Sequence, residues 1–299
     1  SSYGRIILPL ALRGDVSLPK DEVTAISLRN VEADLAEIEM TAEADLKLYK
    51  DSTYVRAEAE IDEFKVNDFI QFFGKNFLPE AKDLETDAKV SLTALCDGYY
   101  NPSKNSLPEL VAEIVVPGSY VRYPGIPDGQ VRLEVNAATD PAGKLDVTLN
   151  DMCLIFAGVD LDATGSAYDL LGNDPLFNVD ARAEANLAEM SAQLADTLGI
   201  SAGGMLNAAL KGNIRMSQLE MDKIYRAGLD GYVRGDSIAV SMPADSMEIW
   251  LGGAAIGIAT VKNRLDSKLP RGEKILALTA EVDTLRAIPG TDVVRASNL

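Results

Sequence analysis

From Glu37 to Leu48 the chain reads E-I-E-M-T-A-E-A-D-L-K-L, with Ile38, Met40, Ala42, Ala44, Leu46 and Leu48 in strict alternation with polar residues. Successive side chains of an extended strand point to opposite faces, so the segment predicts a long β-strand with one wet and one apolar side. The pattern recurs along nearly the whole chain. Val131, Leu133, Val135 and Ala137 alternate with Arg132, Glu134 and Asn136, and Leu206, Ala208, Leu210, Ile214 and Met216 alternate with Asn207, Lys211, Asn213 and Arg215. Ile6, Leu8, Leu10 and Leu12 near the start, and Leu276, Leu278, Ala280 and Val282 near the end, follow the same rule. The function is therefore expected to lie in a continuous apolar face.

Two passages break this period in the same way. After the strand Val55–Asp62, the residues Phe69, Ile70, Phe73 and Phe77 take helical spacing, with Asn67 or Asp68 as N-cap and Leu78-Pro79 as the stop. After the strand Val179–Asn186, Leu187, Met190, Leu194 and Leu198 form a helical stripe that Gly199 can terminate. Val55, Ala57, Ala59 and Glu60 match Val179, Ala181, Ala183 and Glu184 at a shift of 124 residues, and alternating strands follow both helices. This reads as two copies of a strand, helix and meander module. The expected division is 1–129, 130–262 and a further β segment over 263–299, with boundaries in the Pro- and Gly-rich stretch 117–129 and the polar stretch 262–274.

Turns at 97–106, 140–143 and 243–246 join strands without intervening helices, which indicates antiparallel meanders rather than a doubly wound sheet. The fold class is mainly β, with two short helical inserts in tandem modules. A sheet with one apolar face has three ways to hide it: a second sheet, closure into a barrel, or curvature into a trough covered by bound lipid. Periodicity alone favours the sandwich.

Composition removes several function classes. Forty-six acidic against twenty-eight basic residues give a formal charge of −18, which repels phosphate backbones and makes nucleic acid an unfavourable partner. The chain contains no histidine, so serine–histidine and cysteine–histidine nucleophiles and histidine-ligated metals are absent. Cys96 and Cys153 form no C-x-x-C motif and are expected as reduced, mostly buried thiols. The weakly polar run 251–261 is too short to span a bilayer, which takes about 20 residues. The first residues lack the layout of a signal peptide, and a chain that opens and closes on strand-like sequence looks excised from a longer one.

The segment Gly165-Ser-Ala-Tyr-Asp-Leu-Leu-Gly-Asn-Asp-Pro-Leu-Phe177, its alternating strand and Leu187-Ala-Glu-Met190 resemble the AsmA-like family of Gram-negative envelope proteins. In that family a strand, an Asp-Leu turn, an Asp-Pro start and a short leucine-bearing helix recur. The likeness continues from Gly204 through Gly231-Tyr-Val-Arg-Gly-Asp-Ser-Ile238, is best over about 130–260, and reaches 1–129 through the internal repeat. It implies a long curved antiparallel sheet forming a trough, anchored in the inner membrane by a helix this chain lacks, and extended into the periplasm. The implied activity is non-catalytic: a lipid conduit supporting outer-membrane biogenesis, with phospholipid or other acyl chains as ligand, inner- and outer-membrane proteins as partners, and no cofactor. The implied lining is Leu206, Leu210, Ile214, Met216, Ile238, Val240, Met242, Ile249 and Leu251. Aliphatic and methionine side chains suit such a lining, because no fixed polar contact is required.

Other readings compete with this one. Asp160-Leu-Asp162-Ala-Thr-Gly165 resembles half of a calcium loop, but Leu171 stands where the bidentate glutamate belongs. Asp160 and Asp162 share one strand face, the arrangement paired-carboxylate glycoside chemistry would need. Polysaccharide-binding β-structures usually carry aromatic platforms, and only 6% of residues here are aromatic. The lone Trp250 faces away from Ile249 and Leu251, and is read as packing against a helix rather than as an exposed anchor. A structural or interaction module pairing through sheet edges is the remaining class, and the charged outward residues argue against it.

Overall fold

The structure is a computed structural model. It describes residues 10–17, 24–35, 38–70, 83–104, 106–124, 126–140, 142–198, 200–219, 226–242, 247–262, 274–289 and 294–296. The expected strand positions Ile6 and Leu8, the helical residues Phe73 and Phe77 with their Leu78-Pro79 stop, Gly199, the turn 243–246 and most of the stretch 262–274 lie outside the described residues.

The protein is mainly β, with antiparallel pairing and two short α-helices among the described residues. Its contacts divide it into two units, one made of Ser1–Ile126, Val131–Asn150 and Tyr168–Gly172, the other of Pro127–Gln130, Asp151–Ala167 and Asn173–Leu299.

In the first unit, β1 (Leu10–Ser17), β2 (Thr24–Leu35), β3 (Ile38–Leu48) and β4 (Thr53–Lys65) run as a meander. Helix α1 (Val66–Phe69) and the two-residue β5 (Glu85–Thr86) separate β4 from its next partner, β6 (Lys89–Tyr100), which pairs onward with β7 (Glu109–Tyr123). Helix α1 does not use Asn67 or Asp68 as its cap: it starts from Lys65, with no side-chain cap. Asn67 instead accepts a hydrogen bond from the Thr86 amide at 3.2 Å, which ties the helix to β5. Thr86 donates to the Tyr120 carbonyl at 2.5 Å and accepts from the Ala88 amide at 3.0 Å, so this corner is closed by polar bonds beside buried Ile70 and Ala88.

Three strands follow in the chain, β8 (Ile126–Thr139), β9 (Leu145–Phe156) and β10 (Val159–Tyr168). The second unit then repeats the plan with β11 (Leu176–Asn186), α2 (Leu187–Leu198), β12 (Ser201–Arg215), β13 (Gly228–Met242), β14 (Met247–Lys262), β15 (Lys274–Val282), β16 (Leu285–Pro289) and β17 (Val294–Ala296). Asn186 caps α2: its Oδ1 accepts from the amides of Ala188 and Glu189, and its Nδ2 donates to Glu189 at 2.9 Å. The Asp-Pro start has a structural task as well. Asp174 accepts from the Ser217 amide at 2.9 Å, and the buried Pro175 offers its carbonyl to Met216, so together they pin the turn after β12.

The internal repeat extends to the register. In the first unit Val55, Ala57 and Ala59 face Gly98, Cys96 and Ala94, and in the second Val179, Ala181 and Ala183 face Gly212, Leu210 and Ala208. A small residue therefore returns at the same step of each pair.

The sandwich that periodicity alone favours does not form among the described residues, and the long antiparallel sheet that the resemblance implies does. Among the described residues the buried large or aliphatic side chains are few, Ile70, Ala88, Ala157, Leu187, Ala227 and Leu229, and they sit at turns, helix corners and the start of β13 rather than across a sheet face. The physical reason is a single layer of described strands in each unit: strands paired edge to edge satisfy their backbone groups but, among the described residues, leave both faces without a packed cover.

Candidate apolar groove

The second unit shows how one face stays apolar over five strands. Ala181, Leu210, Gly231, Ile258 and Leu278 form one cross-strand row on β11 to β15. Ala183, Ala208, Val233, Ile256 and Ala280 form the next, and Ala185, Leu206, Gly235, Ala254 and Val282 a third. Beyond them Ile238, Leu251 and Leu285 form one row and Ala202, Val240 and Ile249 another. None of these positions carries an ionisable group. The first unit has a narrower counterpart in the row Val31, Ala42, Ala59, Ala94 and Ala112.

Alternation alone would not produce this face. Val233 and Ile238 are an odd number of residues apart, as are Ile249 and Ile256, so an unbroken strand would set each pair on opposite sides. The backbone corrects the phase along one line. Ser237 has φ +51°, Gly204 has φ +106°, and the β12–β13 register shifts between Gly203 and Met205 with the extra residue on β13. On the neighbouring strands Gly252–Gly253 lies opposite Asp283–Thr284, joined by Gly252 N–H to the Thr284 carbonyl at 2.9 Å and Asp283 N–H to the Gly253 carbonyl at 2.8 Å. As a result Gly235, Ile238 and Leu206 meet on one side: a Cβ on Gly235 would fall 2.1 Å from Ile238 Cδ1 and 3.2 Å from Leu206 Cδ2.

Of the residues expected to line a groove, Leu206, Leu210 and Ile214 share this face of β12, Ile238, Val240 and Met242 that of β13, and Ile249 and Leu251 that of β14. Met216 lies in the short 3-10 turn Met216–Gln218 and is exposed. Sequence reasoning missed Val233, Ile256 and Leu278 as members, which are 45%, 58% and 74% exposed. For Ile256 the signal was the Gly252-Gly253 pair, where its strand loses its phase. The face measures about 20 Å across and about 40 Å along, on the order of 800 Å². Soluble monomers rarely leave more than about 300–600 Å² of continuous apolar surface open.

The opposite face holds the charges. In the first unit Asp45 accepts two bonds from Arg29, at 2.8 and 2.7 Å, and another from Ser27. These bonds hold its carboxyl below the usual aspartate range, the Arg29 guanidinium contributing most. Tyr54 donates to Asp97 at 2.8 Å, and that bond raises its phenol above the ordinary value. Both cysteines are free and half-buried rather than mostly buried. Cys96 stands in an apolar row between Ala57 and Leu110, and burial pushes its thiol up.

Asp160 and Asp162 are both exposed on β10, and the structure adds Cys153 to them. The three ligand atoms lie within 4.8 Å of one another, with Cys153 Sγ 4.0 Å from Asp160. Trp250 stands on the charged face, 37% exposed, with the Arg286 guanidinium 5.1 Å from its ring centre. No family model, curated protein or solved structure matches the chain.

Proposed function

We propose that the apolar face holds lipid acyl chains, and that the protein is a non-catalytic segment of a lipid conduit in the Gram-negative periplasm, serving outer-membrane assembly between inner- and outer-membrane partner proteins. The observation that carries this reading is a charge-free face of about 800 Å² that no second layer covers among the described residues. Exposing an acyl chain to water costs about 0.8 kcal/mol per CH₂, so a sixteen-carbon tail crossing alone faces on the order of 12 kcal/mol. Side chains such as Leu210, Val233, Ile256 and Ile258 replace water around the tail and lower that barrier. Rows of aliphatic side chains without fixed donors bind a tail at many equivalent positions, which suits passage better than tight capture.

The test is mass spectrometry of gently purified protein for bound phospholipid, repeated on Leu210→Asp and Ile249→Asp. The expected result is co-purifying lipid in the parent chain and a clear loss of it in both variants, with folding retained. Unchanged lipid content, or collapse of both variants, assigns these residues to a core and overturns the proposal.

A further inference from the structure

The charged face of the second unit carries two consecutive concavities that the lipid reading does not use. One, of about 750 Å³, is bordered by Asn207, Tyr232, Arg234, Asp236, Glu281 and Asp283. The other, of about 430 Å³, is bordered by Ser201, Ser241, Glu248, Trp250 and Arg286. Their floors are small because the register sets glycine and alanine on this side: Gly253, Ala255 and Gly257 pair with Asp236, Arg234 and Tyr232 on β13, while Ala239 of β13 pairs with Trp250 of β14. Longer side chains on the adjoining positions become the walls.

Each concavity contains one aromatic ring steadied by an arginine. The Arg234 guanidinium lies 4.4 Å from the Tyr232 ring centre, and that of Arg286 lies 5.1 Å from Trp250. Tyr232 has only Ala209 and Gly257 as cross-strand neighbours, so no bulky side chain flanks it from either adjacent strand. Six to seven residues of β13 separate Tyr232 from Ala239, the partner of Trp250, a distance of about 20 Å. Asn207, Glu248, Glu281 and Asp283 make no side-chain hydrogen bond or ion pair within the protein among the described residues.

We propose that this face binds an extended, uncharged oligosaccharide, lying across Tyr232 and Trp250. A sugar ring offers C–H groups on its faces and hydroxyls around its edge. Two ring platforms suit the former, and unpaired carboxylates, an amide and serines suit the latter. The platform spacing calls for several sugar units rather than one. Asp236, Glu248, Glu281 and Asp283 exceed the two arginines, which are already engaged with the rings, so an acidic glycan is repelled. Alternation sets the Tyr232 and Trp250 rings away from Val233 and Ile249, although the backbone of Ala202, Val240 and Ile249 also borders the smaller concavity.

Trp250 is the sole tryptophan of the chain, so its emission reports directly on occupancy. The full chain is titrated with cellohexaose, its N-acetylated counterpart chitohexaose, the disaccharide cellobiose and tetralysine. The expected result is a saturable change in Trp250 emission with one of the hexaoses, at least tenfold weaker with cellobiose, and the same for lipid-depleted protein. Tyr232→Ala and Asn207→Ala weaken the hexaose tenfold or more with co-purified lipid unchanged, whereas Tyr232→Phe keeps binding. No response to either hexaose, equal binding by Tyr232→Ala and Asn207→Ala, or a response to tetralysine alone overturns the proposal, the last by showing a face that merely collects cations.

Discussion

Replacing Ile256 with aspartate separates an open apolar face from a sealed one. Ile256 is 58% exposed, with Val233 and Ala280 directly opposite on the two neighbouring strands. Full burial of an isoleucine is worth about 2–3 kcal/mol, so the covered two-fifths accounts for roughly 1 kcal/mol. The low strand preference of aspartate adds up to about 1 kcal/mol. On an open face Ile256→Asp therefore costs about 1–2 kcal/mol, and the carboxylate stays hydrated. Beneath a covering layer the same change would bury an unpaired charge and cost more than about 4 kcal/mol. The assay is urea unfolding of lipid-depleted protein, followed by far-ultraviolet circular dichroism, with Ile256→Val as the mild control. A folded variant with a modestly lowered midpoint, and less lipid recovered on purification, is expected. An Ile256→Asp chain that cannot fold beside an undisturbed Ile256→Val chain refutes the reasoning.

Three further outcomes follow from the geometry. Cys96, raised by burial within an apolar row, is expected to be alkylated more slowly than Cys153, and more slowly again with phospholipid bound; equal rates in both states, followed by peptide mass, count against an occupied face. Asp45 is held low by Arg29 and Ser27, so its contribution is present above its unfolded pKa of about 3.9 and lost as pH falls through the lower folded value. Asp45→Asn thus lowers the urea midpoint slightly at pH 7, by an amount that shrinks below about pH 4; a difference independent of pH would point to packing instead. Gly204→Ala places a Cβ 2.6 Å from the Ser237 carbonyl at φ +106° and is expected to cost at least about 2 kcal/mol, while Ser237→Gly relieves a φ of +51° and stabilises by up to about 1 kcal/mol, both read from thermal unfolding.

The alternation at 37–48, 131–137 and 206–216 was enough to place long strands, because a side chain's face follows directly from its parity. Meander connectivity was equally legible, since turn residues separated the strands without helices between them. The single-layer outcome was not. An apolar stripe reads the same whether protein or ligand covers it, and the decision depends on whether any other segment is available to pack there. The lining was legible only up to the phase break. Leu206, Leu210, Ile249 and Leu251 fall in one continuous reading, whereas Val233 and Ile256 rejoin them only through the backbone at Ser237 and Gly252–Gly253. The helix caps show a smaller gap. Asn186 caps α2 by accepting from the Ala188 and Glu189 amides, while Asn67, which looked like a cap from its spacing, is drawn off by the Thr86 amide.

The line of offset residues through Gly204, Ser237, Gly252–Gly253 and Asp283–Thr284 constrains how this sequence can change. Because β13, β14 and the β15–β16 segment change phase together against an unshifted β12, losing one residue from any one of them would turn the remainder of that strand inside out, with carboxylates among the aliphatic rows and leucines in water. Substitutions on either side of the line can accumulate freely by comparison. Insertions and deletions near it would survive only when matched on the adjoining strands, so chain length here is inherited as a block.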